Sequence, residues 1–179
     1  METDYGDKLD DEGRNQLQLL NGRARRMNSL IDGVLEYSRA GRTSEEKELV
    51  DIYEAVREVI DLLSPPEHID VRIEGGLPTV MAEPIRIRQV FQNLISNAIK
   101  YLDKEEGHVR ISAEKKDRFW RFSVSDNGPG IDRKYHDRIF GLFKTLARRD
   151  DRESTGVGLS IVEKIVVANE GSIWIESEV

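Results

Sequence analysis

Asp126-Asn127-Gly128-Pro129-Gly130 and Gly156-Val157-Gly158-Leu159-Ser160 are two glycine-bearing segments that follow a helix-patterned stretch carrying Asn93, Asn97 and Lys100. Their order is more informative than any one of them. An amide-bearing helix, an acidic glycine turn and a glycine-rich helix start supply a metal ligand, a base reader and a phosphate cradle in turn. Together these are the parts of a site for a magnesium nucleotide.

Asn93, Asn97 and Lys100 stand at i, i+4 and i+7, so they share one helix face opposite much of the apolar stripe. Magnesium takes hard oxygen ligands and shares its shell with waters and phosphates, so one amide oxygen is a sufficient protein contribution. Lys100 adds a point charge against phosphate. Alone, the same spacing describes an ordinary solvated face. In the turn after Ser125 the glycines permit positive φ and close approach of backbone to a ligand, and the Asp126 carboxylate is an acceptor suited to an adenine amino group. Alone, this is also the signature of an Asx turn. Gly156 and Gly158 open a helix whose first N–H groups form an anion site, although a lone Gly-x-Gly is weak. Each bland reading would have to hold separately for all three elements, and that is what makes the set specific.

Composition sets the class. The chain has 179 residues, 38% of them hydrophobic and 34% charged, with a net charge of −7 and no cysteine. The length suits one well-buried domain, or one domain plus a smaller appendage. The acidic balance argues against general nucleic-acid binding. No apolar run approaches the roughly 20 residues of a membrane span. The absence of cysteine excludes disulfides and thiolate sites and suits a cytoplasmic protein.

The N-terminal third has the rhythm of a helix that packs on other helices. Leu17, Leu20, Ala24, Met27, Ile31 and Val34 step by three and four, and Leu30 and Leu35 widen the stripe. A helix is expected from about Leu9 to Ala40, capped by Asp10 or Asp11 and stopped at Gly41. Its partner is expected to be a hairpin or dimer bundle, because no equally long stripe occurs elsewhere. Beyond Arg42 the pattern alternates: strand Glu48–Ile52, helix Tyr53–Leu63, strands Ile69–Glu74 and Thr79–Ala82, then helix Glu83–Tyr101. Strands Val109–Glu114 and Phe119–Ser125 follow, joined by the turn Lys115–Arg118, then helix Gly158–Ala168 and a last strand Ser172–Glu178. Antiparallel strands beside several helices give an α+β fold, a two-layer α/β sandwich with a mixed, largely antiparallel sheet and its helices on one face.

Asn93-Leu94-Ile95-Ser96-Asn97-Ala98 resembles the N box of sensor histidine kinases, whose ATP-binding fold, termed GHKL, is shared with DNA gyrase, heat-shock chaperones and mismatch-repair ATPases. Asp126-Asn127-Gly128-Pro129-Gly130-Ile131 resembles the first glycine box, Ile139-Phe140-Gly141-Leu142-Phe143-Lys144 the F box and Gly156-Val157-Gly158-Leu159 the second glycine box. The match runs from about Glu46 to the end. Arg26–Ile31 and Leu35–Arg39 resemble the second helix of the dimerisation and phosphotransfer domain, in the style of phytochrome-like kinases. The resemblance implies two units, residues 1–44 and 45–179. It makes Asn97 the magnesium ligand, Lys100 a phosphate contact, Tyr101 a ring beside adenine and Asp126 the adenine reader. Gly128, Gly130, Ile131, Phe143, Lys144, Thr155, Gly156, Val157, Gly158 and Leu159 line the ATP site, and Lys144 to Ser154 forms the lid.

Asn93 stands where ATP-hydrolysing relatives carry a glutamate that activates water. An amide there fits a kinase, which keeps water from the γ-phosphate while a protein nucleophile attacks. The implied catalytic residues are Asn93 and Lys100, the implied cofactors ATP and Mg2+, and the implied partners a response-regulator receiver domain and a second copy of the kinase. The expected acceptor is a histidine on a preceding helix, and His68, His108 and His136 are read as local hydrogen-bonding residues. The chain looks cut at both ends, since relatives also carry a further glycine turn and strand. Ser160 replaces a frequent third glycine. A nucleotide-binding or interaction module without transfer activity is the alternative, and a chaperone-type ATPase is disfavoured by Asn93.

Overall fold

The computed structural model describes residues 10–40, 46–145 and 155–179. Helix α1 spans Asp11–Arg39, and Asp10 caps it by accepting the Gly13 N–H at 2.8 Å. The expected ends at Leu9 and Gly41 lie outside the described residues. Strand β1 is Glu48–Asp51, and Ile52 opens helix α2 (Ile52–Leu63) instead of closing the strand. The cause is the Asp51 carboxylate, which accepts the N–H groups of Tyr53 at 2.9 Å and Glu54 at 3.3 Å and so starts the helix one residue early. Ser64, with φ of 44°, ends α2 ahead of the two prolines.

Strands β2 (Ile69–Glu74) and β3 (Thr79–Ala82) precede helix α3 (Pro84–Lys100), where proline occupies the first turn without losing a helical hydrogen bond. Strands β4 (Gly107–Lys116) and β5 (Phe119–Asp126) are longer than their sequence pattern indicates, because Asp117, at φ of 50°, reverses the chain within two residues. The expected turn over Lys115–Arg118 shrinks to Asp117-Arg118. β1 pairs antiparallel with β3, while β2 runs parallel to β4 and β4 antiparallel to β5. The sheet is mixed, as expected. Helix α4 covers Gly158–Ala168.

The main core lies between the three-stranded sheet and α2 and α3. Ile52, Val56, Ile95, Val109 and Ile111 are fully buried, and Phe91 of α3 meets Phe122 of β5 edge to face with centroids 5.7 Å apart. A second cluster joins Ala40 at the end of α1 to Val157, Ile161 and Ile165 on and before α4. Around it, Lys164 Nζ donates to the Tyr37 carbonyl at 2.6 Å, and Arg86 Nη2 donates to the Arg39 carbonyl at 2.8 Å. Much of the α1 seam is exposed, with Leu20, Met27 and Ile31 all more than half so, while Leu17 and Leu30 are half-buried.

Residues 171–179 carry no strand, which corrects the expectation for Ser172–Glu178. Burial still alternates, with Ile173, Ile175 and Ser177 half-buried and Trp174, Glu176 and Glu178 exposed. Periodicity reports which face is covered, whereas a strand also needs a neighbour's N–H and C=O in register. Here the contacts come instead from a side chain, Ser177 Oγ, which accepts the Ile131 N–H at 2.8 Å.

The open face of the sheet is a network of charges. Burial raises the Asp70 pKa, but the Arg72 and Arg110 guanidiniums, each 2.9 Å away, outweigh it and hold the carboxyl below the ordinary aspartate range. A depressed folded-state pKa adds stability above the unfolded value that is lost as pH falls through the folded one. The stability gap between the wild type and Asp70→Asn is therefore expected to be widest near neutral pH and to close in acid, as read by urea denaturation across pH. In the core, Ile95→Ala is expected to cost about 2–5 kcal/mol, against under about 0.5 kcal/mol for Leu62→Ala on the exposed side of α2.

Candidate nucleotide site

Helix α3 has two working faces. Phe91, Ile95 and Ala98 point into the core, and the helical period brings Asn93, Asn97 and Lys100 out together on another side. Asn93 Nδ2 donates to the Gln89 carbonyl at 2.8 Å, and this fixes the amide so that its oxygen faces α4. A Cβ placed on Gly158 would lie 2.5 Å from Asn93 Oδ1, so glycine is what lets the start of α4 reach α3. Asn97 is half-buried rather than exposed, and among the described residues its amide makes no hydrogen bond. The Lys100 ammonium lies 5.8 Å from the Tyr101 ring, which is 41% exposed beside it.

The acidic turn sits at the other end of α3. Asp126 Oδ1 accepts the Gly128 N–H at 2.8 Å, which leaves the second carboxylate oxygen for a ligand. A Cβ on Gly128 would lie 2.7 Å from that oxygen and in ordinary contact, 3.5 Å, with the Tyr101 carbonyl at the end of α3. Gly130 has φ of 75°, and a side chain there would run into the Glu178 carbonyl. Ile131 is held by Ser177, and its carbonyl lies 2.8 Å from His136 Nε2.

The two halves of the loop around α4 also meet. Gly156 has φ of 66° and packs on the F-box end, where a Cβ would lie 2.6 Å from the Lys144 carbonyl oxygen and 2.8 Å from the Phe143 carbonyl carbon. Phe143 itself has φ of 61°, a costly backbone for a bulky residue and one that clusters at functional sites. Thr155 is half-buried next to this contact. Val157, 2% exposed, anchors the loop in the second core, where Gly33 of α1 approaches so closely that a Cβ would lie 3.0 Å from Val157 Cγ2. Leu159 is half-buried behind it. The buried Ser160 hydroxyl donates back to the Val157 carbonyl at 2.7 Å. Residues 146–154 of the expected lid lie outside the described residues.

The acidic turn and the α4 start thus both lie against α3, Gly158 beside Asn93 and Gly128 beside Tyr101. Sequence reasoning gave no site role to Asn127 or Gly33, whose partners Glu106, His108 and Val157 are distant in the chain, whereas His136, expected to bond locally, does so with Ile131. The described residues hold no cluster of three His, Cys, Asp or Glu.

Residues 82–179 match the family described as histidine kinase-, DNA gyrase B-, and HSP90-like ATPase. The phytochrome-like protein Cph1 of Synechocystis sp. is 35% identical over 99% of this chain and 24% of its own length. Full-length ShkA, solved in complex with AMPPNP, superposes with a TM-score of 0.67 at 31% identity, over 94% of this chain and 38% of that one. ThkA, solved in complex with the response regulator TrrA, gives a TM-score of 0.64 at 27% identity, over 93% of this chain and 48% of that one. The chain belongs to this ATPase family, and its domain is of the histidine-kinase type found in two-component sensor kinases. It spans about a quarter of the length of the curated relatives it matches. No described helix is long and apolar enough to cross a membrane.

Gly156→Ala is expected to lose about 2–4 kcal/mol, from a strained positive φ plus overpacking on backbone. Gly76→Ala, where a Cβ meets nothing within 4 Å, is expected to be neutral or stabilising by up to about 1 kcal/mol. Chemical denaturation of the two variants side by side checks this.

Proposed function

We propose that the chain is the Mg-ATP-binding catalytic core of a two-component sensor histidine kinase, which in its parent protein donates the γ-phosphoryl group to a histidine other than His68, His108 or His136, for relay to a response-regulator aspartate. The observation that carries this reading is the Asn93 amide held against Gly158, where a glycine-rich helix start, of the kind that suits an anion, meets a side chain that cannot take a proton from water. In this reading Asp126 accepts the adenine amino group, Tyr101 lies beside the ring and Ile131 lines the base. Lys100 and the N–H groups from Thr155 to Leu159 hold the phosphates, with Phe143 and Lys144 at the hinge of the lid. Asn97 gives magnesium one amide oxygen, and the ion, when bound, neutralises charge on the phosphate oxygens. The unit over residues 1–44 would contribute the second helix of the dimerisation bundle, its exposed seam meeting a neighbouring helix and a second copy of the kinase. The three histidines sit within the ATP-binding unit, and His136 is engaged with Ile131.

Three results are expected. Asp126→Asn turns an acceptor into a partial donor and is expected to weaken ATP binding by about 10- to 100-fold, the equivalent of one charge-assisted hydrogen bond. Asn97→Ala is expected to abolish the gain in affinity that magnesium gives. Both are read by calorimetric titration with and without Mg2+ at unchanged Tm, and unchanged titrations for both refute the site. Radiolabelled ATP is expected to leave the chain unlabelled yet label a supplied acceptor-helix fragment. Strong self-labelling contradicts the reading, and steady hydrolysis near about 1 per second would favour a chaperone-type ATPase.

A further inference from the structure

Asp126 is the last residue of β5, paired with Val109, and beyond it the chain leaves the sheet for the glycine turn. A carboxylate at such a point would ordinarily swing with the turn. Here the next residue prevents it. The Asn127 N–H donates to the His108 carbonyl at 3.2 Å, continuing the ladder by one step. Its side-chain amide then acts as a substitute peptide group: Oδ1 accepts the His108 N–H at 2.7 Å, and Nδ2 donates to the Glu106 carbonyl at 3.0 Å. Three hydrogen bonds from one half-buried residue tie the turn to the start of β4, 19–21 residues earlier. On the other side, the Gly128 N–H holds Asp126 Oδ1 at 2.8 Å. The Asp126 carboxylate is therefore fixed between two anchors, and only the Asn127 anchor reaches into the sheet.

We propose that Asn127 is a positioning residue that sets base selectivity: it points away from the ligand and holds the Asp126 carboxylate where it can accept a hydrogen bond from the exocyclic amino group of an aminopurine. The proposal rests on the adenine-reading role of Asp126. A hydrogen bond to that amino group survives only within a few tenths of an ångström of about 2.9 Å and near linearity. A turn released from Glu106 and His108 loses that geometry first. The phosphate contacts, which belong to α3 and α4, are untouched.

The test compares affinities, in the presence of Mg2+, for ATP and for purine riboside 5′-triphosphate, which lacks the 6-amino group. The wild type is expected to prefer ATP by about 10-fold or more, and Asp126→Asn to bring the ratio to about one. Asn127→Ala is expected to bring it to within about 3-fold while leaving affinity for the purine analogue unchanged. Asn127→Asp keeps the acceptor for His108 but not the donor to Glu106, so it is expected to fall between; it is also the readout if the alanine variant does not fold. If Asn127 variants keep the wild-type ratio, or weaken both nucleotides equally, the residue is only structural and the proposal is overturned. If Asp126→Asn itself keeps the ratio, the adenine-reading role fails, and the positioning role falls with it; the Asp126 variant alone separates these two failures.

Discussion

The structure depends on one close approach, the packing of α3 against the start of α4 at a position with no side chain. Gly158 lies beside Asn93 there, and a Cβ at position 158 would come within 2.5 Å of the amide oxygen and force it to shift. Helical periodicity fixes everything else on α3 once that contact is made. The residues that fill the core, Phe91, Ile95 and Ala98, point one way, and Asn93, Asn97 and Lys100 are carried along one other face. A site of this kind cannot be built on a loose helix, because ligand geometry is lost within about 1 Å. The burial of Ile95, worth roughly 2 kcal/mol or more, also serves to position the polar face.

The glycine-rich helix start is held from both sides. In front it meets Asn93, and behind it Val157 is buried with Ile161 and Ile165 against the end of α1. Gly33 is the counterpart of Gly158 on that rear face, since a side chain there would press on Val157. Just before it, two left-handed residues, Phe143 and Gly156, have backbones that pack together. The N–H groups of the α4 start are thus aimed by packing on three elements, and the short run of glycines only permits it.

Much of this was legible in the sequence because it is local. The period of α3, the glycines, the prolines after α2 and the acidic cap at Asp10 each act within a few residues, and the elements they mark fall where expected to within one or two residues. Ile52 shows the limit, since the Asp51 cap decides its state over its own β-branched preference. The misses are non-local. Ser172–Glu178 alternates like a strand but lacks a ladder partner, and Asn127 matters through contacts with Glu106 and His108 that no periodic pattern records. The Gly33 approach to Val157 is of the same kind, because a glycine inside an exposed helix reads as a weakness until its partner is seen.

The central claim is that α3, the Asp126 turn and the α4 start form one magnesium-nucleotide site. The most direct measurement is a 15N amide titration of the whole chain with a non-hydrolysable ATP analogue and Mg2+. The account predicts that perturbations concentrate on Asn93, Asn97, Lys100, Asp126, Gly128 and Gly156 to Leu159, with the Asn97 side-chain amide shifting only when magnesium is present. Binding that leaves those signals in place and moves others, such as the open sheet face around Asp70 and Arg110, would contradict it.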